Sequence, residues 1–194
     1  MDARIAIDHG ADAIGMVFYP PSPRNVTISQ AYEICKAVPA FVNVVGLFVD
    51  ADPSWVDQVL AELPIGLLQF HGDESPIACR SFAKPYMKAI RVRPDSNLIQ
   101  YASDFFDARA LLLDAYAEGV PGGTGKVFDW NLIPQNMAMP VVLAGGLDAS
   151  NVAEAIQQVH PYAVDVSGGV EKSKGIKDAD KIAAFMRGVS NASL

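Results

Sequence analysis

The sequence predicts an α/β fold in which parallel strands alternate with helices. Seven apolar runs rich in β-branched residues recur along the chain, most of them lack the alternation of a half-exposed sheet, and helical patterns lie between them. Continuous apolar strands are typical of a parallel sheet that is covered on both faces. The runs are Asp12 to Phe18, Val42 to Val49, Gly66 to His71, Tyr86 to Val92, Ala110 to Asp114, Met139 to Ala144 and Tyr162 to Ser167.

Start signals and apolar spacing mark the helices between these runs. Asp52 and Pro53, a capping residue followed by a proline at the first helical position, precede apolar residues at helical spacing from Val56 to Leu63. Further helices are predicted from Asp2 to His9, from Ala31 to Val38 behind Ser29 as a cap, from Trp130 to Ile133, from Val152 to Val159 behind Asp148, and from Asp178 to Arg187. Repeated strand-then-helix units imply right-handed crossovers between parallel strands.

The count of elements favours a closed barrel over an open sheet. The chain opens on a helix and yields eight helical segments but seven strands. We therefore predict a (β/α)8 TIM barrel without its first β-strand, formed by residues 1–194 as a single domain that is incomplete at its N-terminus. An open doubly wound sheet stays possible. Its usual Gly-x-Gly-x-x-Gly turn does not follow the first run, which leads instead into Tyr19-Pro20-Pro21-Ser22-Pro23-Arg24.

Composition narrows the classes of partner. The chain has 51% hydrophobic and 19% charged residues and a net charge of −7, which disfavours a nucleic-acid partner. Without an apolar run of about eighteen residues or a signal peptide, we expect a cytoplasmic protein with no membrane partner. Cys35 and Cys79 fall inside helical patterns without histidines at ligand spacing, so we expect neither a metal site nor a disulfide.

Paired glycines end the last two strand-like runs. Gly145 and Gly146 follow one run, and Ser167, Gly168 and Gly169 end the other. Glycine lets the backbone approach an anion closely, and the N-terminus of a following helix presents unpaired N–H groups. A single glycine pair more often marks a tight turn, but two on neighbouring strands of a barrel predict a phosphate site. We therefore expect a phosphorylated small molecule as the ligand.

Polar side chains at other strand ends are candidates for the chemistry. Arg24, in the proline-rich loop, either clamps a carboxylate or is simply solvated. His71 is equally suited to acid–base work and to a structural hydrogen bond. Asp129 is either the N-cap of the short helix from Trp130 or a catalytic acid, and both roles can coexist.

Several segments together resemble the phosphoribosylanthranilate isomerase family, and the match runs through essentially the whole chain. They are Gly10 to Gly15, Tyr19 to Arg24, Leu68 to Gly72, Leu112 to Asp114, Gly122 to Trp130, Leu143 to Leu147 and Asp165 to Glu171. The resemblance implies an Amadori rearrangement, in tryptophan biosynthesis, that needs no metal or cofactor. It also implies Asp129 as the general acid, Arg24 as the contact of the anthranilate group, and both glycine turns as the phosphate site. At the other strand ends we expect His71 and Asp165 to contact the substrate.

This chain departs from the family's pattern at the general base. That base is a cysteine in a Lys-Ile-Cys-Gly type segment at the end of the first strand, and the chain begins after it. We expect a start codon assigned downstream of the true one, the alternatives being a truncated chain and a paralogue that has lost the base. A barrel that lacks its first strand leaves two sheet edges unpaired, and a second copy of the chain can pair with them. We therefore expect either a monomer or a homodimer formed through this gap.

Two other functions remain open from the sequence. One is a catalytically impaired barrel that binds phosphorylated metabolites without turning them over. The other is a different phosphate-binding barrel enzyme, such as an epimerase of pentose phosphates, although that chemistry normally wants metal ligands and no fitting His/Asp set is present.

Overall fold

A computed structural model describes residues 2–115 and 128–192 of the chain. The chain forms two compact units, Met1–Met87 and Lys88–Leu194. The single domain expected from the sequence stays a prediction. Residues 116–127, which include the glycines of the Gly122 to Trp130 motif, lie outside the described residues.

The first unit is built from three parallel strands that pair in chain order, each followed by a helix. Gly15 lies opposite Val45 on one side of the central strand, and Leu47 lies opposite Gln69 on the other. The elements are α1 (Asp2–Asp8), β1 (Ala13–Val17), α2 (Ile28–Cys35), β2 (Asn43–Phe48), α3 (Pro53–Glu62), β3 (Leu67–Phe70) and α4 (Pro76–Cys79).

Aromatic rings fill the core of this unit where the strands end. Phe18 and Phe48 are almost fully buried, and their rings stack with centroids 5.4 Å apart. Trp55 of α3 meets the edge of the Phe18 ring at 6.4 Å. These contacts fix α3 over the carboxyl ends of β1 and β2, where the loops with the candidate residues begin.

Capping residues set the helix boundaries of this unit. Asp52 caps α3 as predicted, and its carboxylate accepts a hydrogen bond from the Ser54 amide at 2.8 Å. The predicted cap of α2, Ser29, is wrong. Thr27 is the cap, because its hydroxyl accepts from the Gln30 amide at 3.2 Å while the Gln30 side chain accepts from the Thr27 amide at 2.9 Å.

The second unit has the same strand-then-helix order. Its strands β4 to β7 pair in parallel and in chain order. The elements are β4 (Tyr86–Val92), α5 (Leu98–Asp104), β5 (Leu111–Ala115), a 3-10 helix (Trp130–Leu132), β6 (Val141–Leu143), α6 (Val152–Val159), β7 (Ala163–Val164), a second 3-10 helix (Gly168–Val170), β8 (Glu171–Ser173), β9 (Ile176–Lys177) and α7 (Ala179–Ala192).

All seven predicted strands are present, and the last two are shortened the most relative to the predicted runs. β6 stops at Leu143 because Gly145 and Gly146 both adopt positive φ angles, which ends the extended backbone. β8 and β9 form an antiparallel hairpin that the sequence did not predict, and it turns at Gly175 with φ of 81°. The N-cap of α6 is Asn151, three residues after the predicted Asp148.

Within the described ranges, none of the helices has the length and apolar character that a membrane span requires.

Candidate functional site

The two glycine turns lie in the second unit, after β6 and β7. Gly145 has φ of 78° and packs on the end of β5, where a Cβ would overlap the amide of Ala115 and lie 2.9 Å from a carboxylate oxygen of Asp114. Gly146 follows with φ of 71°. Only glycine combines this backbone conformation with such close packing. The turn therefore requires glycine at position 145.

The second turn packs directly on the first. A Cβ on Gly169 would overlap the carbonyl oxygen of Leu147 and lie 2.9 Å from Cβ of Asp148. Ser167, Gly168 and Gly169 are half-buried and lead into the 3-10 helix Gly168–Val170. The structure thus brings the two predicted phosphate turns into contact at the carboxyl ends of neighbouring parallel strands.

Two lysines that the sequence analysis did not single out contact the second turn. Lys177 at the end of β9 donates to the Ser167 carbonyl at 2.8 Å and pairs with the carboxylate of Glu171 at 3.0 Å. Lys181 of α7 donates to the Glu171 carbonyl at 2.8 Å. These contacts connect residues ten apart through an unpredicted hairpin, so helical or strand periodicity could not have indicated them.

Asp165 lies between β7 and this turn. Its amide donates to the Leu143 carbonyl at 2.8 Å, which continues the pairing of β7 with β6 by one residue. The residue is exposed, two positions before Ser167. It therefore stands at the same end of the strands as the glycine turns, where the sequence analysis expects a substrate contact.

Asp129 is the N-cap of the 3-10 helix Trp130–Leu132, which confirms the structural role predicted for it. Its exposed carboxylate accepts from the amide of Asn131 at 3.0 Å and from the Asn131 side chain at 2.9 Å. The Asn131 side-chain oxygen in turn accepts from Gln158 of α6 at 3.2 Å.

The neighbour of Asp129, Trp130, lines a cleft of about 500 Å³ together with Pro140 and Val141. That cleft lies where β6 begins, whereas Gly145 follows the point where β6 ends. The Trp130 ring nitrogen is buried and has no hydrogen-bond partner among the residues that the structure describes. The structure therefore gives the Asp129 carboxylate a partner in Asn131 but shows no contact between it and the glycine turns within the described ranges.

Arg24 is held at the carboxyl end of β1 in the first unit. The proline-rich loop returns to the strand, because Val26 donates to the Val17 carbonyl at 2.9 Å and Asn25 bridges to Val17. The Arg24 amide donates to the Ser22 hydroxyl at 3.1 Å, and the residue is half-buried. The loop thus fixes the backbone from which this guanidinium extends.

His71 follows β3 at the same edge of the first unit's sheet and is 8% exposed. Its amide donates to the Phe48 carbonyl at 2.8 Å, and its Nδ1 lies 3.2 Å from the side-chain nitrogen of Gln69. This contact fits the structural role weighed for His71.

Two carboxylates hold the loops after β2 and β3 together. Glu74 accepts from the amides of Gly72 at 2.9 Å and Asp50 at 2.9 Å, and Asp50 accepts from the amide of Asp73 at 2.7 Å. A Cβ on Gly72 would lie only 2.6 Å from an Asp50 carboxylate oxygen. This arrangement fixes the backbone immediately after His71.

Both cysteines lie on helices of the first unit. Cys35 ends α2 and Cys79 ends α4, as their helical patterns predicted, and burial raises the pKa of the Cys35 thiol. Among residues 2–115 and 128–192, no three His, Cys, Asp or Glu side chains gather as metal ligands.

Relatives of known name cover almost the whole chain. The family model "N-(5'phosphoribosyl)anthranilate (PRA) isomerase" matches residues 1–188. A protein of that name from Azotobacter vinelandii is 56% identical over 191 residues, which are 98% of this chain and 93% of the relative. One from Nitrosococcus oceani is 56% identical over 192 residues, 99% of this chain and 93% of the relative.

Solved structures agree with the sequence relatives. The phosphoribosyl anthranilate isomerase of Thermus thermophilus superposes with a TM-score of 0.88 at 30% identity, covering 98% of this chain and 93% of its own. That of Thermotoga maritima gives 0.87 at 36% identity with the same coverage. This likeness confirms the predicted fold class, a (β/α)8 barrel, of which the described residues supply seven parallel strands. Because the family model spans nearly every residue and relatives more than half identical match the chain over almost its whole length, the chain belongs to the N-(5'-phosphoribosyl)anthranilate isomerase family.

Proposed function

We propose that this chain catalyses the Amadori rearrangement of N-(5-phosphoribosyl)anthranilate to 1-(2-carboxyphenylamino)-1-deoxyribulose 5-phosphate in tryptophan biosynthesis. The observation that carries the proposal is the family match over residues 1–188. A solved relative, 35% identical with a TM-score of 0.83, is a complex with reduced 1-(o-carboxyphenylamino)-1-deoxyribulose 5-phosphate. The adjoining glycine turns of the second unit give this chain a matching place for a phosphate.

The phosphate of the substrate is proposed to bind at Gly145, Gly146, Ser167, Gly168 and Gly169. Glycine leaves the backbone N–H groups of these turns accessible, and several N–H groups that converge on one anion stabilise its charge. Since Gly169 packs on Leu147, the two turns form one surface rather than two separate ones. A fixed phosphate holds the reacting end of the sugar at a constant distance from the other site residues.

Proton transfer is the chemistry that the reaction requires. Asp129 is proposed to give a proton to the ribose ring oxygen, so that the C1–O bond breaks and the ring opens to a Schiff base. The Asp129 carboxylate contacts Asn131 at an exposed position, so water or substrate can replace that contact. A base must then remove the C2′ proton, and the enolamine relaxes to the ketone. Cys35 and Cys79 are unsuited to be that base, because both lie on helices rather than at strand ends.

The remaining contacts are proposed to hold the aromatic end and the sugar. Arg24 carries a permanent positive charge that matches the carboxylate of anthranilate. His71, after β3, and Asp165, beside the glycine turn, are proposed to bind substrate hydroxyl groups. We further propose a cytoplasmic enzyme, a monomer or homodimer, whose net charge of −7 fits a small-molecule partner better than nucleic acid.

The test follows the fluorescence of N-(5-phosphoribosyl)anthranilate as it is consumed by the purified chain. We expect full turnover once the chain is extended by the family's first strand with its cysteine base, and a fall in kcat of about a hundredfold or more in Asp129→Asn of that extended form. Asn131→Ala is the control, because it removes a partner of Asp129 and leaves the carboxyl group. Binding of the reduced product without any turnover would instead support the catalytically impaired barrel, and an unaffected rate in Asp129→Asn would remove this residue from the role of acid.

A further inference from the structure

Lys177 reaches back from the β8–β9 hairpin to the start of the second glycine turn. Its ammonium group lies 2.8 Å from the Ser167 carbonyl oxygen and 3.0 Å from a Glu171 carboxylate oxygen. The Lys177 side chain is 26% exposed and that of Glu171 only 5%. Hydrogen bonds from a charged donor at such partly buried positions are stronger than those between neutral groups.

The Ser167 contact determines the direction of the next N–H group. In a trans peptide the carbonyl oxygen of one residue and the N–H of the next point in opposite directions, and the described residues contain no cis bond. When Lys177 holds the Ser167 carbonyl, the Gly168 N–H therefore points away from Lys177. Gly168 has no side chain to restrict its backbone, so without this contact the peptide plane could rotate.

The other end of the 3-10 helix is held in a similar way. Lys181 of α7 donates to the Glu171 carbonyl at 2.8 Å. The helix Gly168–Val170 thus has a lysine contact immediately before it and another immediately after it. Lys177 is the one of the two that contacts the peptide leading into Gly168.

We infer that Lys177 is a positioning residue for phosphate binding, which fixes the Ser167–Gly168 peptide plane so that the Gly168 N–H faces the anion. The inference rests on the proposed function and deepens it, because it names the side chain that prepares the turn for a phosphate. The ammonium group of Lys177 contacts Ser167, the first residue of that turn, and its pairing with Glu171 offsets much of its attraction for a dianion, so its effect on phosphate binding is mainly geometric.

The test compares the unmodified chain with Lys177→Met, Lys177→Arg and Lys174→Met. Lys174 is exposed on the same hairpin, so its substitution removes the same charge as a matched control. Calorimetry with inorganic phosphate gives Kd, and substrate turnover gives KM and kcat. We expect Lys177→Met to raise Kd and KM about tenfold with kcat changed less than about twofold. Lys177→Arg keeps the charge and the donors and should restore most of the affinity.

A second pair of variants separates positioning from stability. Glu171→Gln removes the buried carboxylate but leaves Lys177 beside Ser167, so we expect a lower melting temperature and a phosphate Kd within about twofold of the unmodified chain. The double variant Lys177→Met/Glu171→Gln leaves no buried carboxylate without its lysine partner. It should therefore fold, yet still bind phosphate about tenfold more weakly than the unmodified chain. An equal loss of phosphate affinity in Glu171→Gln and Lys177→Met would overturn the inference.

Failure of this inference is distinguishable from failure of the proposed function. A folded Lys177→Met chain that binds phosphate like the unmodified one, or an unmodified chain that binds no phosphate, overturns the positioning role. A chain that binds phosphate through Lys177 but leaves N-(5-phosphoribosyl)anthranilate unchanged supports the positioning role and contradicts the isomerase activity.

Discussion

The α-carbon of Gly169 lies against the carbonyl oxygen of Leu147, so closely that a side-chain carbon on residue 169 would overlap that oxygen. The contact joins the loops after two neighbouring strands into one surface. Since the obstructing atom belongs to the backbone, it cannot move aside as the end of a flexible side chain could. The two turns therefore depend on each other, and a single methyl group is enough to separate them.

Gly169→Ala is expected to lower the free energy of unfolding by about 1–3 kcal/mol, because the backbone must shift to admit the methyl group. Urea unfolding measures this change. Gly15→Ala is the control, since nothing lies within 4 Å of a Cβ there, and its effect should stay within about 0.5 kcal/mol. Equal stability of the two variants would contradict the close contact between the turns.

Gly72→Ala should destabilise the first unit by forcing the Asp50 carboxylate away from the loop after β3. Asp50 has φ of 45°, a conformation that glycine adopts readily, so Asp50→Gly removes the carboxylate without backbone strain. In a double-mutant cycle, the combined variant should be about 1 kcal/mol more stable than the sum of the single effects predicts. Strict additivity would show that the two residues do not meet.

The cap of α3 gives a prediction about acid titration. The Ser54 hydroxyl, and next the Ser54 amide, donate to Asp52 at 2.6 and 2.8 Å and hold the pKa of Asp52 below its ordinary value of 3.8. Because the folded-state pKa is depressed, the contribution of the cap is present above pH 3.8 and is lost as the pH falls through the lower folded value.

Ser54→Ala removes the larger cause of that shift and leaves the backbone amide. The pKa of Asp52, followed by the NMR shift of its carboxyl carbon, should rise in this variant toward 3.8. Ser150→Ala, in the other unit, serves as the control and should leave the Asp52 titration unchanged. An Asp52 titration that is the same with and without the Ser54 hydroxyl would contradict the cap geometry.

The cysteines should react slowly with alkylating reagents in the folded protein. Burial raises the pKa of the Cys35 thiol, so less thiolate is present at neutral pH, and Cys79 is fully buried. We expect slow alkylation of Cys35 and slower alkylation of Cys79, with both becoming fast in urea, as mass spectrometry would record. Rapid labelling of native Cys79 would contradict its burial.

Local signals predicted much of this fold and the positions of several site residues. The apolar runs predicted every strand of the parallel sheet, and the Asp52-Pro53 pair predicted the start of α3. The apolar spacing predicts Ser29 as the cap of α2, whereas the reciprocal hydrogen bonds between Thr27 and Gln30 decide the boundary.

Contacts between distant residues could not be predicted in this way. The glycine pairs predicted a phosphate turn after each of two strands, but the Gly169–Leu147 contact that joins them depends on how two loops pack. Lys177 reaches Ser167 through a hairpin too short to give a periodic pattern. Asp129 was predicted both as a cap and as an acid. The two roles are compatible, because both cap contacts involve the same carboxylate oxygen, Oδ1.

The most direct test of the central claim is turnover of N-(5-phosphoribosyl)anthranilate in the presence of inorganic phosphate. If the adjoining glycine turns hold the phosphate of the substrate, the chain extended by the family's first strand consumes the fluorescent substrate, and phosphate raises KM while kcat stays constant. Absence of turnover, or inhibition by phosphate that lowers kcat and leaves KM unchanged, would contradict the account.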